Sequence, residues 1–88
     1  MKSVKNLELS SKAREQLAYW QSANPKFASK ILRLFDEIRT TPYYGTGKPE
    51  ALRHEFSVCW SRRIDKEHRL VYRVDGETVI ILSCRFHY

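Results

Sequence analysis

The residues of this sequence that can do chemistry lie in its second half. Glu50 follows a loop rich in glycine and proline, and His87 is close to the last residue given. The fixed positive charges between them are Arg62, Arg63, Arg69, Arg73 and Arg85. An imidazole titrates near neutral pH, whereas a guanidinium stays charged. These side chains can therefore supply a base, an acid and a stable cation.

Cleavage of RNA by its own 2′-hydroxyl needs these three kinds of group. A base takes the hydroxyl proton, an acid protonates the leaving 5′-oxygen, and cations stabilise the charge on the phosphorane. Glu50 and His87 can fill the first two roles without a metal, because arginines favour an ionised carboxylate and a carboxylate favours a protonated imidazole. Residue types alone are a weak indication. Glu50 as a solvated loop charge, and His87 and Tyr88 as frayed terminal residues, remain alternatives.

The other histidines and the two cysteines indicate no metal site. His54 and His68 do not have the spacing of zinc ligands, and we expect them at the surface or in hydrogen bonds. Cys59 and Cys84 lack metal or redox spacing, and each lies in a strand-like run that suits a buried free thiol. We therefore expect no cofactor.

Composition predicts one basic, folded domain over residues 1–88. The chain has 16 Lys and Arg against 10 Asp and Glu, a net charge of +6, and 42% hydrophobic residues. This length suits a single modest core, and the charge attracts polyanions such as nucleic acid or an acidic protein. The longest aliphatic run, residues 79–82, is far too short to span a membrane, and no signal peptide is evident. We expect a cytoplasmic protein with no membrane partner.

Two amphipathic helices are predicted in the first half, after a short strand within residues 4–9. Ser10 or Ser11 can cap a helix over 11–22, and an Asn-Pro pair is typical of the start of a second helix over 25–39. Apolar residues at helical spacing mark the buried face of the second helix: Phe27, Ile31, Leu34, Phe35 and Ile38. The short connection predicts a helical hairpin.

Three strands are predicted in the second half. Apolar and polar residues alternate over 56–61 and 69–74, whereas 79–86 is apolar on both faces, as in a central strand. Arg62 and Arg63 directly follow the first of these regions, and because neighbours in a strand point to opposite faces, only one of them can point to a given site. The predicted fold is α+β, with an N-terminal strand and a helical hairpin packed on one face of a small antiparallel sheet.

The register predicted for the last two strands does not bring Arg69 and His87 together. Asp75-Gly76 is typical of a two-residue hairpin turn, which would place Arg69 opposite Leu82. His87 would then lie about five residues farther along the strand, too far to share a site with Arg69. A bulge, the preceding loop or a curl of the C-terminus must close this gap.

Four blocks in this order and spacing resemble the YoeB/Txe toxins of the RelE superfamily. They are GKPEALRH at 47–54, WSRRI at 60–64, EHRLVY at 67–72 and CRFHY at 84–88. The resemblance implies a RelE-like fold and a bacterial type II toxin that cuts mRNA in the A site of the 30S ribosomal subunit. It also implies neutralisation by a cognate YefM/Phd-type antitoxin, and family members often form homodimers.

The resemblance also implies a role for each matching residue. Glu50 resembles the family's general base and His87 its general acid. Arg69 resembles the arginine that stabilises charge on the scissile phosphate, and Tyr88 the terminal tyrosine that arranges the site or the nucleotide. The cations that resemble residues facing the RNA backbone are Lys48, Arg53 and Arg63.

Two other functions stay open at this point. A toxin with the same fold can act by binding another target such as DNA gyrase, and a small basic protein can bind RNA or ribosomes without toxicity. The joint presence of Glu50, Arg69 and His87 argues against both, because a protein that only binds its target has no need of this set.

Overall fold

The computed structural model describes residues 4–53 and 58–86, which form two helices and a five-stranded sheet. The elements in chain order are β1 (Asn6–Leu9), α1 (Ser11–Ala23), α2 (Pro25–Thr40), β2 (Glu50–Ala51), β3 (Trp60–Arg63), β4 (Arg69–Asp75) and β5 (Thr78–Ser83). The predicted α+β class, with a helical hairpin packed on the sheet, is confirmed. No helix within the described ranges is long and apolar enough to cross a membrane.

Both helices begin at the predicted caps. The Ser10 hydroxyl accepts a hydrogen bond from the Ala13 amide at 3.1 Å, and the Asn24 side chain accepts one from the Phe27 amide at 3.2 Å. Each cap satisfies an amide that the first helical turn leaves without a partner. Asn24 alone separates the helices, so they form a tight hairpin.

The apolar stripe of α2 lies in the main core. Ile31, Leu34, Phe35 and Ile38 are at most 3% exposed, and Phe27 packs against them. The same core contains alternate residues of β4 and β5, which shows that the helices cover one face of the sheet. A smaller cluster lies on the opposite face and consists of Leu52, Cys59, Val71 and Leu82.

The sheet is mixed rather than wholly antiparallel. Its strand order is β1-β5-β4-β3-β2, and β1 joins the edge parallel to β5 while the other pairs are antiparallel. Ser10 donates its amide to the Ile81 carbonyl and Lys5 donates to the Arg39 carbonyl, so the ends of β1 are fixed to both β5 and α2. β1 therefore covers the edge of the most apolar strand.

Three details of the strand prediction were wrong. Glu50 begins a two-residue strand instead of lying in a loop, and β3 begins at Trp60, so residues 58 and 59 are not part of it as predicted. Residues 56 and 57 of the same prediction lie outside the described residues. β5 ends at Ser83 instead of continuing to residue 86. Beyond Ser83, side chains of α1 replace a neighbouring strand as hydrogen-bond partners, because Cys84 bonds to Gln16 and Trp20.

The predicted β4–β5 turn was one residue too early. Asp75 pairs with Thr78, so the turn consists of Gly76 and Glu77, and Gly76 supplies the positive φ of 59° that its first position requires. The pairing then shifts by one residue between Val71 and Tyr72, which is a β-bulge. Because the turn and the bulge each displace the pairing, residues closer to the end of the chain lie opposite the start of β4.

The two cysteines are buried and free in the part of the chain that the structure describes. Burial raises the pKa of the Cys84 thiol to about 11, which keeps it protonated and unreactive at neutral pH. Cys59 packs in the small cluster on the other face. Both cysteines are therefore core residues, as their apolar surroundings in the sequence predict.

Candidate active site

Glu50 and Arg69 meet on the face of the sheet that the helices leave open. Glu50 pairs with Ser61 across β2 and β3, and Arg69 pairs with Arg63 across β3 and β4. Directly opposed residues on neighbouring strands, and alternate residues along one strand, point to the same face. The pairing of the short edge strand β2 with β3 therefore brings Glu50 onto the same surface as Arg69, although the two residues are 19 positions apart in the sequence.

The carboxylate and the guanidinium are in contact. Nη1 of Arg69 lies 3.2 Å from Oε1 of Glu50 and 3.5 Å from the Ser61 hydroxyl. The Arg69 side chain is only 17% exposed, whereas the Glu50 side chain is 55% exposed. The structure therefore presents a carboxylate open to solvent next to a cation that is held in place. Such a pair can take up a proton and stabilise negative charge that develops beside it.

Arg63 and Arg69 lie directly opposite each other on β3 and β4. Like charges in that position repel, and the Glu50 carboxylate supplies a counter-charge to Arg69. Arg63 is exposed and its side chain lies on the same face as the candidate site. Arg63 therefore adds a second positive charge to the open surface that carries Glu50 and Arg69.

The end of the described chain reaches the same place. The backbone amide of Arg69 donates a hydrogen bond to the Phe86 carbonyl at 3.0 Å. The shifted turn and the bulge thus replace the predicted Arg69–Leu82 pairing with one near residue 86. The next two predicted site residues, His87 and Tyr88, lie outside the described residues, as does His54.

A basic cavity is lined in part by Arg63, the cross-strand neighbour of Arg69. It has a volume of about 370 Å³ and is lined by Lys30, Thr46, Gly47, Lys48, Arg63, Ile64, Asp65 and Lys66. Two of its cations, Lys48 and Arg63, are predicted RNA-facing residues. Lys30 and Lys66 have no signal in the sequence, because each is one more exposed lysine of a basic chain. Arg53, the third predicted cation, is exposed just after β2.

Arg62 points to the opposite face of β3 and holds the loop that leads to Glu50. It is completely buried, and its guanidinium donates to the carbonyls of Thr41, Tyr44 and Thr46, the last two at 3.0 and 3.2 Å. The alternation predicted for Arg62 and Arg63 is confirmed. Arg62 is therefore a structural residue, and sequence analysis missed this role because an arginine gives no sign of which face is buried.

Glu37 supplies the counter-charge to Arg62. Its carboxylate lies 2.8 Å from Nη1 of Arg62 and accepts the Thr46 amide. Burial raises the pKa of Glu37, but the hydrogen bonds from Thr46 and Arg62 outweigh burial and hold that pKa below its ordinary value. Tyr72 completes the network, since its hydroxyl accepts from Arg62 and donates to the Pro42 carbonyl. The 41–49 loop is thus tied to α2, β3 and β4.

Gly47 lets this loop approach β3. Its φ is +88°, and its carbonyl accepts the Arg63 amide at 2.7 Å. A Cβ at this position would lie 2.8 Å from the Arg63 carbonyl, which no real Cβ tolerates without movement. The glycine therefore sets the distance between the loop and the strand that carries Arg63.

Comparison with known proteins identifies the family. The model of the YoeB-like toxins of bacterial type II toxin-antitoxin systems matches residues 9–88, and this chain belongs to that family. Toxin YoeB of Escherichia coli strain K12 is 49% identical over 70 residues, which covers 80% of this chain and 83% of that protein.

Solved structures agree with the family in sequence and in shape. A YoeB/ParE toxin from Agrobacterium tumefaciens has a TM-score of 0.91 at 37% identity, over 94% of this chain and 99% of the other. YoeB of Staphylococcus aureus has been solved as a dimer, with a TM-score of 0.87 at 40% identity, and in a YoeB-YefM complex, with 0.86 at 41%. Both cover 98% of this chain and all of the S. aureus chain.

Proposed function

We propose that this toxin is a ribosome-dependent endoribonuclease that cuts mRNA in the A site and thereby stops translation. The observation that carries the proposal is the contact between the open Glu50 carboxylate and the fixed Arg69 guanidinium. It joins a proton acceptor to a phosphate-binding cation on an exposed, basic surface. Family membership adds support, because the resemblance to YoeB toxins implies this reaction.

In the proposed reaction Glu50 removes the proton from a 2′-hydroxyl, whose oxygen attacks the adjacent phosphorus. Arg69 stabilises the charge on the phosphorane, and His87 gives a proton to the departing 5′-oxygen. Tyr88 helps to arrange the nucleotide. The products are an upstream fragment that ends in a 2′,3′-cyclic phosphate and a downstream fragment that begins with a 5′-hydroxyl. No metal is required, because the side chains supply the base, the acid and the cation.

The basic cavity serves the RNA backbone. Lys48 and Arg63 line it, Arg53 is exposed at the end of β2, and Lys30 and Lys66 add two further positive charges. Contacts of this kind neutralise phosphates and release counterions, which makes binding weaker as salt rises. In this proposal these residues hold the RNA, and Glu50, Arg69 and His87 carry out the chemistry.

Partners follow from the relatives. The S. aureus toxin is solved with YefM and as a dimer, and we extend both kinds of assembly to this chain. A cognate YefM/Phd-type antitoxin would neutralise the toxin, and an acidic antitoxin segment can compete for the same basic surface. The site of action is the bacterial cytoplasm, where the ribosomes are.

The Glu50→Gln protein is expected to cut mRNA about 10²–10⁴-fold more slowly than the wild type. The amide keeps the size of the side chain but cannot take the 2′-hydroxyl proton. The measurement is single-turnover cleavage of a defined mRNA on ribosomes. The matched control is Glu77→Gln, an exposed glutamate in the β4–β5 turn, which should cut at the wild-type rate.

Three outcomes separate the functions. Equal rates for wild type and Glu50→Gln would remove Glu50 from the mechanism. A folded wild-type protein that never cuts, yet blocks supercoiling by DNA gyrase, would establish the gyrase-type toxin. A wild-type protein that neither cuts nor slows the growth of its host would leave a protein that only binds RNA or ribosomes.

A further inference from the structure

The segment that follows β5 is held by side chains rather than by a strand. In this segment, residues 84–86, the amide of Cys84 donates to Oε1 of Gln16 at 2.7 Å, and its carbonyl accepts from the Trp20 indole at 2.9 Å. The Arg85 guanidinium lies 3.6 Å from the centre of the Tyr19 ring. The segment is therefore fixed to α1 before it reaches the candidate site.

Phe86 is the last described residue and has the least common backbone conformation of the segment. Its φ is +64°, a left-handed value that is unfavourable for a residue with a side chain. Both of its backbone polar groups are bound by consecutive residues: its amide donates to Nδ1 of His68 at 2.7 Å, and its carbonyl accepts from the Arg69 amide at 3.0 Å. These two bonds offset the cost of the unusual φ.

His68 is itself held firmly. The residue is 7% exposed, and its ring lies 4.8 Å from the ring of Trp20 and 5.7 Å from that of Phe27. Nε2 lies 3.2 Å from the Glu67 carboxylate, and Asp65 accepts the His68 amide at 2.6 Å. Because Nδ1 accepts from Phe86, the ring proton is on Nε2, where Glu67 accepts it. This fixes one tautomer and one orientation of the ring.

We propose that His68 is a positioning residue for RNA cleavage: its Nδ1 holds Phe86, the last described residue, in a left-handed conformation with its carbonyl against the Arg69 amide. His87, the proposed acid, is the next residue in the sequence, so fixing Phe86 fixes the point from which His87 is attached. This inference rests on the proposed function, because His68 affects cleavage only if His87 is the acid of the reaction. His68 touches no substrate in this scheme.

Two substitutions at His68 separate its hydrogen bond from its bulk. His68→Ala removes the acceptor, whereas His68→Asn places an amide oxygen close to the position of Nδ1 and can accept the Phe86 amide. We expect His68→Ala to cut on ribosomes about 10–100-fold more slowly, because a small misplacement of a catalytic group has an effect of this size. Ribosome affinity should stay unchanged, and His68→Asn should restore most of the cleavage rate.

The outcomes decide between the inference and the proposed function. Wild-type cleavage rates in His68→Ala, or a folded His68→Asn as slow as His68→Ala, would overturn the inference and leave the nuclease intact. A wild-type protein that does not cut would instead overturn the proposed function.

A second measurement needs neither cleavage nor a destabilised variant. In the full-length ¹⁵N-labelled wild-type protein, NMR should detect a scalar coupling between the Phe86 amide nitrogen and Nδ1 of His68, transmitted through their hydrogen bond. The Phe86 amide should also exchange slowly with solvent, and it should remain slow in His68→Asn. Absence of the coupling together with fast exchange in the wild type would contradict the assigned role of His68.

Discussion

The His87→Gln toxin is expected to bind ribosomes as tightly as the wild type and to cut mRNA about 10²–10⁴-fold more slowly. Glutamine can form hydrogen bonds but cannot transfer a proton to the leaving 5′-oxygen. The cations proposed to hold the RNA, Lys48, Arg53 and Arg63, are unchanged, so the affinity for ribosomes should stay the same. Single-turnover cleavage with saturating toxin measures the chemical step, and co-sedimentation with ribosomes measures binding.

The separation of rate from binding is the informative part of this experiment. If His87→Gln loses binding and cleavage to the same extent, His87 contributes to docking and not to proton transfer. If it cuts at the wild-type rate, the acid is another group. A useful extension is the pH profile of cleavage: the wild-type rate should fall as pH rises through the pKa of the acid, and the His87→Gln rate should lack that fall.

The Arg62→Met protein is expected to lose roughly 3 kcal/mol of stability, because each buried acceptor left without its donor costs about 1–3 kcal/mol. Arg62 is completely buried, and methionine restores its apolar bulk but not its donors. The Glu37 carboxylate and the carbonyls of the 41–49 loop would lose their partner. Urea unfolding of the wild type and the variant measures the difference in the free energy of unfolding.

Arg63→Met is the matched control, with the same substitution one position along β3. Arg63 is exposed, so its replacement should change stability by no more than about 0.5 kcal/mol. Combining Arg62→Met with Glu37→Gln should cost less than the two single losses together, since both break one ion pair. Equal stability of the Arg62→Met and Arg63→Met proteins would contradict the structural role of Arg62.

The helices were predictable because their signals are local. Ser10 and Asn24 each cap a helix by accepting the amide three residues later in the sequence. The apolar residues of α2 recur at helical spacing, which marks the face that the helix buries. The sheet was predictable only in part. β2 has two residues, too few to show a period, and the parallel direction of β1 depends on where the helical hairpin returns the chain.

The β4–β5 hairpin shows how a correct signal can give a wrong register. Gly76 does take the positive φ that the Asp-Gly pair indicates, but Asp75 remains in the strand, so the turn moves by one residue. The bulge between Val71 and Tyr72 adds a further shift that no local residue announces. The position of the turn and the bulge together decide whether the end of the chain reaches Arg69. Neither can be predicted from the alternation of apolar and polar residues along the strands.

The candidate site was predictable by resemblance more than by physics. Residue types suggest an acid, a base and a cation, but they cannot show that Glu50 and Arg69 touch across three strands. Arg62 and Arg63 differ only in the face on which they fall, and that difference makes one a loop anchor and the other a surface cation. His68 was expected to form hydrogen bonds, and the structure adds that its partner is Phe86.

The most direct test of the account is to map the cuts that the wild-type toxin makes on a defined mRNA. Primer extension would be carried out after incubation with and without purified ribosomes stalled at a known codon. The account predicts cuts within the A-site codon only when ribosomes are present, with a 5′-hydroxyl on the downstream fragment. Intact mRNA after incubation of the folded protein with those ribosomes would contradict it.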